Sequence, residues 1–432
     1  MESKLSKKFW ISLVLFSFIG QVAWVVENMY FNVYIYKIFN ANQQDIALMV
    51  ALSAVSACIT TILIGALSDK IGKRKTFICF GYILWGLSIM SYMLIPSLSG
   101  NSVRIGVSLV IIMDCIMTFF GSSANDACFN AWLTDSTNNT NRGKAEGINS
   151  MMPLLAVLAV FGGFIGFNLN KIEHWNIIFL IIGLISIITG IVGIFIIDES
   201  FSLKEENKNY FKNIFYGFRL STIKQNKNLY IMFLFFAIFN IAIQIFMPYL
   251  ILYYEKYLLM ENYVLVMGPS ILISAIATAL YGKLYDKFGL KRTIWIPLYL
   301  MVIGFCMLAM FIQTPLVFIG STFMLSGDLM GMGIFGANIR DLTPIEKTGG
   351  FQGIRIFSQV LIPGIVGPNL GAFVLRNAKM VTNSDGTQSF IPNPNIFLTA
   401  LIVMIGLIIL LYLYLNLIPK LKQKNQNKIE NN

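Results

Sequence analysis

Four carboxylates, Glu27, Asp114, Asp126 and Asp328, stand inside apolar stretches long enough to cross a bilayer. An ionisable side chain at that depth is costly to bury, so each one points to a solute or ion pathway, a proton relay or a buried pair. A lone carboxylate there can take up a proton on one side of a membrane and release it on the other. Asp114, Thr118, Ser122 and Asn125 fall near i, i+4, i+8 and i+11, which is one face of a helix. Such a stripe either faces a polar cavity or forms a hydrogen-bonded seam between helices. Gln21, Trp24, Glu27 and Asn28 crowd the first apolar run, and Asn240 and Gln244 lie in the seventh. Trp24, Tyr30, Tyr34, Tyr249 and Tyr253 add planar faces. Aromatic faces beside amides and carboxylates suit a sugar or another polyhydroxylated solute, although Tyr and Trp also gather at membrane interfaces. At 1.5 Å per residue, Gln21 lies roughly 18 Å from the start of its run and Asp114 roughly 15 Å from the start of its own. Arg355 is the basic residue inside a span; pairing with an acid across the molecule, binding an anionic group and snorkelling to the interface all fit it.

Other chemistries are missing from the sequence. No nucleophile triad, phosphate-cradling loop or metal-ligand cluster is present, so neither an enzyme nor a cofactor or metal is expected. Cys58, Cys79, Cys115, Cys128 and Cys306 fall in the apolar runs without metal or redox spacing and read as small fillers. His174 sits in a loop and carries no catalytic reading.

These residues must be positioned by a membrane protein. Of the 432 residues, 56% are hydrophobic and 12% are charged. A soluble domain keeps roughly a quarter of its residues charged. The formal charge of +11 is not a nucleic-acid signal, because its positions follow topology. Lys and Arg concentrate about four to one in alternate connecting segments, which places both termini in the cytoplasm of a multi-pass cell-membrane protein. Helices are expected near 9–36, 44–67, 77–96, 103–133, 147–169, 175–197, 228–256, 263–282, 294–312, 315–338, 350–375 and 396–418. The first is expected to be retained as a helix, not removed as a signal peptide. The units are 1–200 and 228–418, six helices each, joined by a charged cytoplasmic linker over 201–227 and followed by a basic tail over 419–432. A short surface helix is expected around Tyr210 to Arg219, and a polar loop with turn residues over 377–395. Gly162 with Gly166 and Gly367 with Gly371 read as close-packing sites between helices.

One stretch recurs. Gly65-Ala66-Leu67-Ser68-Asp69-Lys70-Ile71-Gly72-Lys73-Arg74-Lys75-Thr76 returns half a chain later as Gly282-Lys283-Leu284-Tyr285-Asp286-Lys287-Phe288-Gly289-Leu290-Lys291-Arg292-Thr293. Asp135 and Asp341, and Gly147-Ile148 and Gly353-Ile354, match at a similar offset, indicating a duplicated six-helix unit of the kind that builds a site at the bilayer midplane. The first copy closely resembles the signature loop of the major facilitator superfamily. That resemblance implies an all-α integral membrane fold of twelve transmembrane helices in two pseudo-symmetric six-helix bundles. It further implies a cavity lined by helices one, four, seven and ten, the helices that hold Gln21, Asp114, Asn240 and Asp328.

The reading is therefore a secondary active transporter, not an enzyme. It moves a small polar solute, foremost a sugar, by alternating access, coupled to a proton or another cation, as a monomer in contact with membrane lipids and not nucleic acid. The substrate and coupling-ion residues are Gln21, Trp24, Glu27, Asn28, Asp114, Thr118, Asn125, Asn240, Gln244 and Asp328. Asp126, close to the end of its helix, reads as a gate or structural residue. Gly65, Asp69, Gly72, Arg74, Asp286 and Arg355 form the gating set, with Asp69 meeting the start of helix eleven when the cytoplasmic side is closed. The melibiose-type sugar permeases carry acids inside helix two and this chain has none there, which speaks against sodium. A multidrug or cation exporter is the alternative; against it, helix four lacks the mid-span arginine and helix five the Gly-Pro pattern of such exporters. A non-transporting sensor would need a soluble output domain.

Overall fold

Twelve helices in the described residues are long and apolar enough to cross a membrane. They are α1 (Lys7–Phe39), α2 (Gln43–Ser68), α3 (Arg74–Ser99), α4 (Val103–Asp135), α5 (Lys144–Phe164) and α6 (Ile172–Ile196) in the first half. The second half holds α7 (Lys227–Tyr257), α8 (Val264–Tyr285), α9 (Leu290–Met310), α10 (Thr314–Leu342), α11 (Gly353–Leu375) and α12 (Asn395–Asn416). The structure, a computed structural model, describes residues 5–100, 102–137, 141–198, 215–260, 262–344, 348–383 and 386–417. Most of the linker, the tail, the first part of the expected 210–219 surface helix and the side chains of Asp69 and Asp286 lie outside the described residues. Within the last part of the linker, a 3₁₀ turn over Phe215–Phe218 and a short helix over Leu220–Gln225 lead into α7.

Local chemistry sets the helix ends. Asn42 caps α2 by accepting from Gln44 N and Asp45 N, while Asp45 accepts from Asn42 N at 3.0 Å, a reciprocal capping box. The helix continues to Ile71 and stops at Gly72, whose φ of 70° is left-handed and whose N–H bonds Ser68 O at 2.9 Å. Gly289 in the second copy takes φ 67° and its N–H bonds Tyr285 O at 2.8 Å. The recurring loop is thus a helix stop that only a glycine makes without strain.

Packing inverts that of a soluble protein. Ile181, Leu184, Ile188, Ile191 and Phe195 of α6 are exposed, as an apolar outer face requires. α3 packs against α6, α9 against α10, α8 against α10, and α7 against α11. The halves meet where α2 packs on α11 and α5 on α8. Gly367 and Gly371 let α11 approach α7 so closely that a Cβ at either would strike Gln244, Tyr249 or backbone of α7. The companion expectation fails: a Cβ at Gly162 or Gly166 meets nothing within 4 Å, so that pair is not a packing site. It lies on an open flank of α5, where a small-residue pattern carries no contact.

One face of the molecule carries the two recurring loops. The opposite face carries a hairpin absent from the sequence reading, β1 (Met380–Thr382) and β2 (Gln388–Phe390), in the stretch expected as a loop. In the described residues, the hydrogen bonds between the halves gather at this hairpin face. Tyr36 OH donates to Phe390 O at 2.5 Å, and Tyr249 OH donates to Gln43 O at 2.9 Å. Asn383 Nδ2 and Ser389 Oγ donate to Asn40 Oδ1 at 3.1 and 3.2 Å. Lys37 Nζ pairs with Glu255 Oε1 at 2.6 Å, with side chains only 5% and 16% exposed.

Candidate functional site

Beneath the hairpin-face seal lies a cavity of about 300 Å³ between the halves. Its first wall is α1. That helix widens into a π-helical segment over Val26–Phe31, a rare geometry often found at functional sites. Asn28 Nδ2 donates to Trp24 O and Asn32 Nδ2 to Asn28 O, both at 2.8 Å, so the widened turn is tied by its own amides. Gln21, Trp24, Glu27, Asn28 and Asn32 all line the cavity.

Glu27 joins three helices. Its Oε1 accepts from Thr118 Oγ1 of α4 at 2.7 Å and from Ser53 Oγ of α2 at 2.9 Å. The two hydroxyl oxygens are themselves 2.8 Å apart. Asp114, one turn from Thr118 on α4, is buried and faces the same cavity. Glu27, expected among the substrate and coupling-ion residues, sits where α1, α2 and α4 meet at the cavity.

The fourth helix corrects the expected stripe. α4 becomes π-helical over Ser122–Phe129, and a wider turn advances the register by about one residue relative to a 3.6-residue extrapolation. Asp126 therefore lines the cavity, and Ser122 Oγ donates to its Oδ2 at 3.0 Å. Asn125 points the other way: its Nδ2 donates to Tyr82 OH at 2.7 Å, which donates to Phe16 O at 2.6 Å. Asn125 binds α4 to α3 and α1 and does not line the cavity.

The second half contributes Gln244 of α7 and Gln359, Val360 and Gly364 of α11. Gln359 lies in a further π-helical segment, Phe357–Leu361. Asn240 is buried and donates back to Phe236 O, so it is not part of the lining. Asp328 is half-buried on α10 and also lies outside the lining. Tyr30, Tyr34, Tyr249 and Tyr253 are fully buried in helix packing, leaving Trp24 as the aromatic face at the cavity. Among the described residues, the lining carries three carboxylates and no Lys, Arg or His.

The expected gating residues occupy the loop face. Arg74 is buried; its Nε bonds Asp135 Oδ2 at 3.0 Å and its Nη1 bonds Ser68 Oγ at 2.7 Å. In the second half the matching aspartate, Asp341, accepts from Tyr285 OH at 2.6 Å. Arg355 is exposed at the start of α11 and pairs with no carboxylate within 4 Å among the described residues. Gly65 and Gly72 shape the helix end, and the side chains of Asp69 and Asp286 lie outside the described residues.

Ser53, Asn32 and Gln359 were not in the expected site. Asn32 was the most legible, since it follows Gln21, Trp24 and Asn28 at helical spacing. Ser53 is one small residue in a helix rich in them and carries no signal of its own.

Two membrane-embedded bundles, closed over a polar cavity at one face and built on a duplicated unit, define a transporter and not an enzyme. The sequence matches the Major Facilitator Superfamily over residues 10–368 and 262–431, and the chain belongs to that family. Its fold is similar to that of the nucleoside transporter NupG, seen as a point mutant, with a TM-score of 0.71 and 12% identity over 92% of this chain and 97% of that one. It is similar also to the xylose transporter XylE from E. coli, with a TM-score of 0.67 and 16% identity over 94% and 97% of the two chains. A bacterial homologue of the human lysosomal transporter Spinster aligns with a TM-score of 0.61 at 14% identity, over 85% of this chain and 81% of that one. No curated protein matches the sequence.

Proposed function

We propose that this transporter moves a small polyhydroxylated solute, foremost a sugar, through the cavity by alternating access, driven by a cation that binds at Glu27 and Asp114. The observation that carries the reading is the lining: amides of Gln21, Asn28, Gln244 and Gln359 surround the Trp24 ring and three carboxylates. Amides and carboxylates bond sugar hydroxyls, and an indole stacks on a sugar ring. The likeness to nucleoside and xylose transporters supports a solute of this kind. The proton is the coupling ion expected from the sequence, with Asp114 as its carrier.

The positive-inside pattern assigns the loop face and both termini to the cytoplasm. The hairpin-face seal then makes this the conformation closed to the outside. Cysteines placed in the 377–395 loop should react with an impermeant thiol reagent in intact cells, and cysteines in 204–224 should not. The reverse pattern would overturn the topology.

A cation exporter is the second reading, because a wall with three acids and no base suits a positively charged solute. A thermal-shift screen of the purified protein against sugars, nucleosides, amino acids and cationic dyes separates the two. Stabilisation by sugars or nucleosides supports the first reading, and stabilisation by dyes alone refutes it.

A further inference from the structure

We propose that Glu27, Asn32 and Asp114, backed by Ser53 and Thr118, form a site for one dehydrated sodium ion. The inference rests on reading the cavity as that of a cation-driven transporter, and it names the cation.

Three acceptor oxygens in the cavity wall are buried and receive no hydrogen bond from the described residues: Glu27 Oε2, Asn32 Oδ1 and Asp114 Oδ1. Their residues are 6%, 1% and 2% exposed and all line the same cavity. Buried polar atoms in folded proteins are satisfied, so three orphans in one wall point to a ligand. The rest of each local network is already committed. Asn32 Nδ2 donates to Asn28 O, which fixes the amide with its oxygen free. Glu27 Oε1 takes the Thr118 and Ser53 hydroxyls, leaving Oε2 open.

A ligand that bridges these three oxygens must satisfy acceptors, while the orphan donors nearby, Trp24 Nε1 and Tyr92 OH, make no demand on it. A single water has two hydrogens to donate, so answering all three oxygens takes two waters where one ion suffices. A proton shared by the two acids answers Glu27 and Asp114 but not the neutral amide oxygen of Asn32. A small alkali ion answers all three, and hard oxygen donors are what such an ion selects. The Ser53 and Thr118 hydroxyl oxygens keep lone pairs that can complete its shell. Helix two lacks the acid that spoke for sodium in other permeases, but here it supplies Ser53 while α1 and α4 supply the charge. Transporters commonly seat such an ion where a membrane helix departs from regular geometry, and the π-helical turn of α1 holds Glu27 and ends at Asn32.

Trp24 at the cavity, with Trp85 5.0 Å away ring to ring, gives a built-in reporter. The test titrates the purified full chain with NaCl, KCl, choline chloride or methylammonium chloride at constant ionic strength and pH, reading tryptophan fluorescence. Sodium alone should give a saturable change. Asn32→Ala and Thr118→Val should each raise the half-saturating concentration at least tenfold, while Asn32→Asp, which keeps an oxygen at that point, should retain the response. No sodium-specific response in the wild type overturns the site. So does an equal response to methylammonium, which would assign the orphans to a solute ammonium, or a response untouched by Asn32→Ala and Thr118→Val. Sugar counterflow on the same preparation separates this result from the functional reading: sodium binding without counterflow removes the solute, and counterflow without a sodium response removes only the ion site.

Discussion

The two halves share a fold and a duplicated loop, yet their cavity walls differ in kind. The first half brings Glu27, Asp114 and Asp126 to the cavity, with Glu27 held by Ser53 and Thr118 and Asp126 by Ser122. The second brings the neutral amides Gln244 and Gln359 beside Val360 and Gly364, and keeps its own carboxylate, Asp328, outside the lining. The loop face repeats the contrast: Asp135 is met by an arginine in the first half, and Asp341 by a tyrosine hydroxyl in the second. The repeat therefore carries the same scaffold in both halves, while the carboxylates of the cavity lining come from one of them. Under the proposed function, a single charged wall facing a neutral one lets an ion stay with one bundle as the other rocks across it, with the solute bridging both.

The largest expected effect comes from the seal that holds the halves together. Glu255→Gln leaves Lys37 buried without its countercharge, and breaking such a pair costs about 3–5 kcal/mol. The closed hairpin face should lose that much relative to the open one. A cysteine at Met49, buried in the cavity wall beneath the hairpin face, should then react with an impermeant thiol reagent in intact cells far faster than with the seal intact. Unchanged reactivity would show that the hairpin and the tyrosines close this face without the ion pair. Gly371→Leu comes next, because it drives a side chain into Tyr249 and the α7 backbone. Overpacking of this sort costs about 1–3 kcal/mol, to be seen as a lower melting temperature. Gly162→Leu, on the open flank of α5, should leave the melting temperature in place.

Much of this arrangement was legible. Length, apolarity and the Lys and Arg bias located twelve helices, because a bilayer tolerates few alternatives. The acids were found for the same reason, as charges that hydrocarbon should have excluded. What escaped was geometry that a regular helix does not generate. Extrapolating 3.6 residues per turn through Ser122–Phe129 put Asn125 at the cavity, and the π-helical turn puts Asp126 there instead. The buried tyrosines were misplaced because their spacing cannot distinguish a cavity wall from the aromatic packing of α1 on α6, where Tyr34 meets Trp175 at 5.1 Å. The 380–390 hairpin escaped because three-residue strands carry too little alternation to stand out from a loop.

Two smaller effects sharpen the contrast. Tyr82→Phe removes the hydroxyl between Asn125 and Phe16, and should lower stability by about 1–3 kcal/mol while leaving the solute KM within about twofold. A large rise in KM would return Asn125 to the substrate site. Arg355→Gln should be the mildest, since an exposed cation with no ion pair among the described residues contributes within about 0.5 kcal/mol to stability. A loss of transport by that variant would place Arg355 in the closed state of the loop face.

The division of labour between the halves is tested most directly by comparing Asp114→Asn with Asp328→Asn in proteoliposomes. Uptake is followed under an imposed cation gradient, alongside counterflow without one. Asp114→Asn should abolish accumulation against a gradient and retain counterflow, because a neutral amide keeps the cavity's shape without its charge. Asp328→Asn should still concentrate solute to at least half the wild-type level. The opposite pattern, with accumulation surviving Asp114→Asn and lost in Asp328→Asn, would contradict the account and move the coupling ion to the second half.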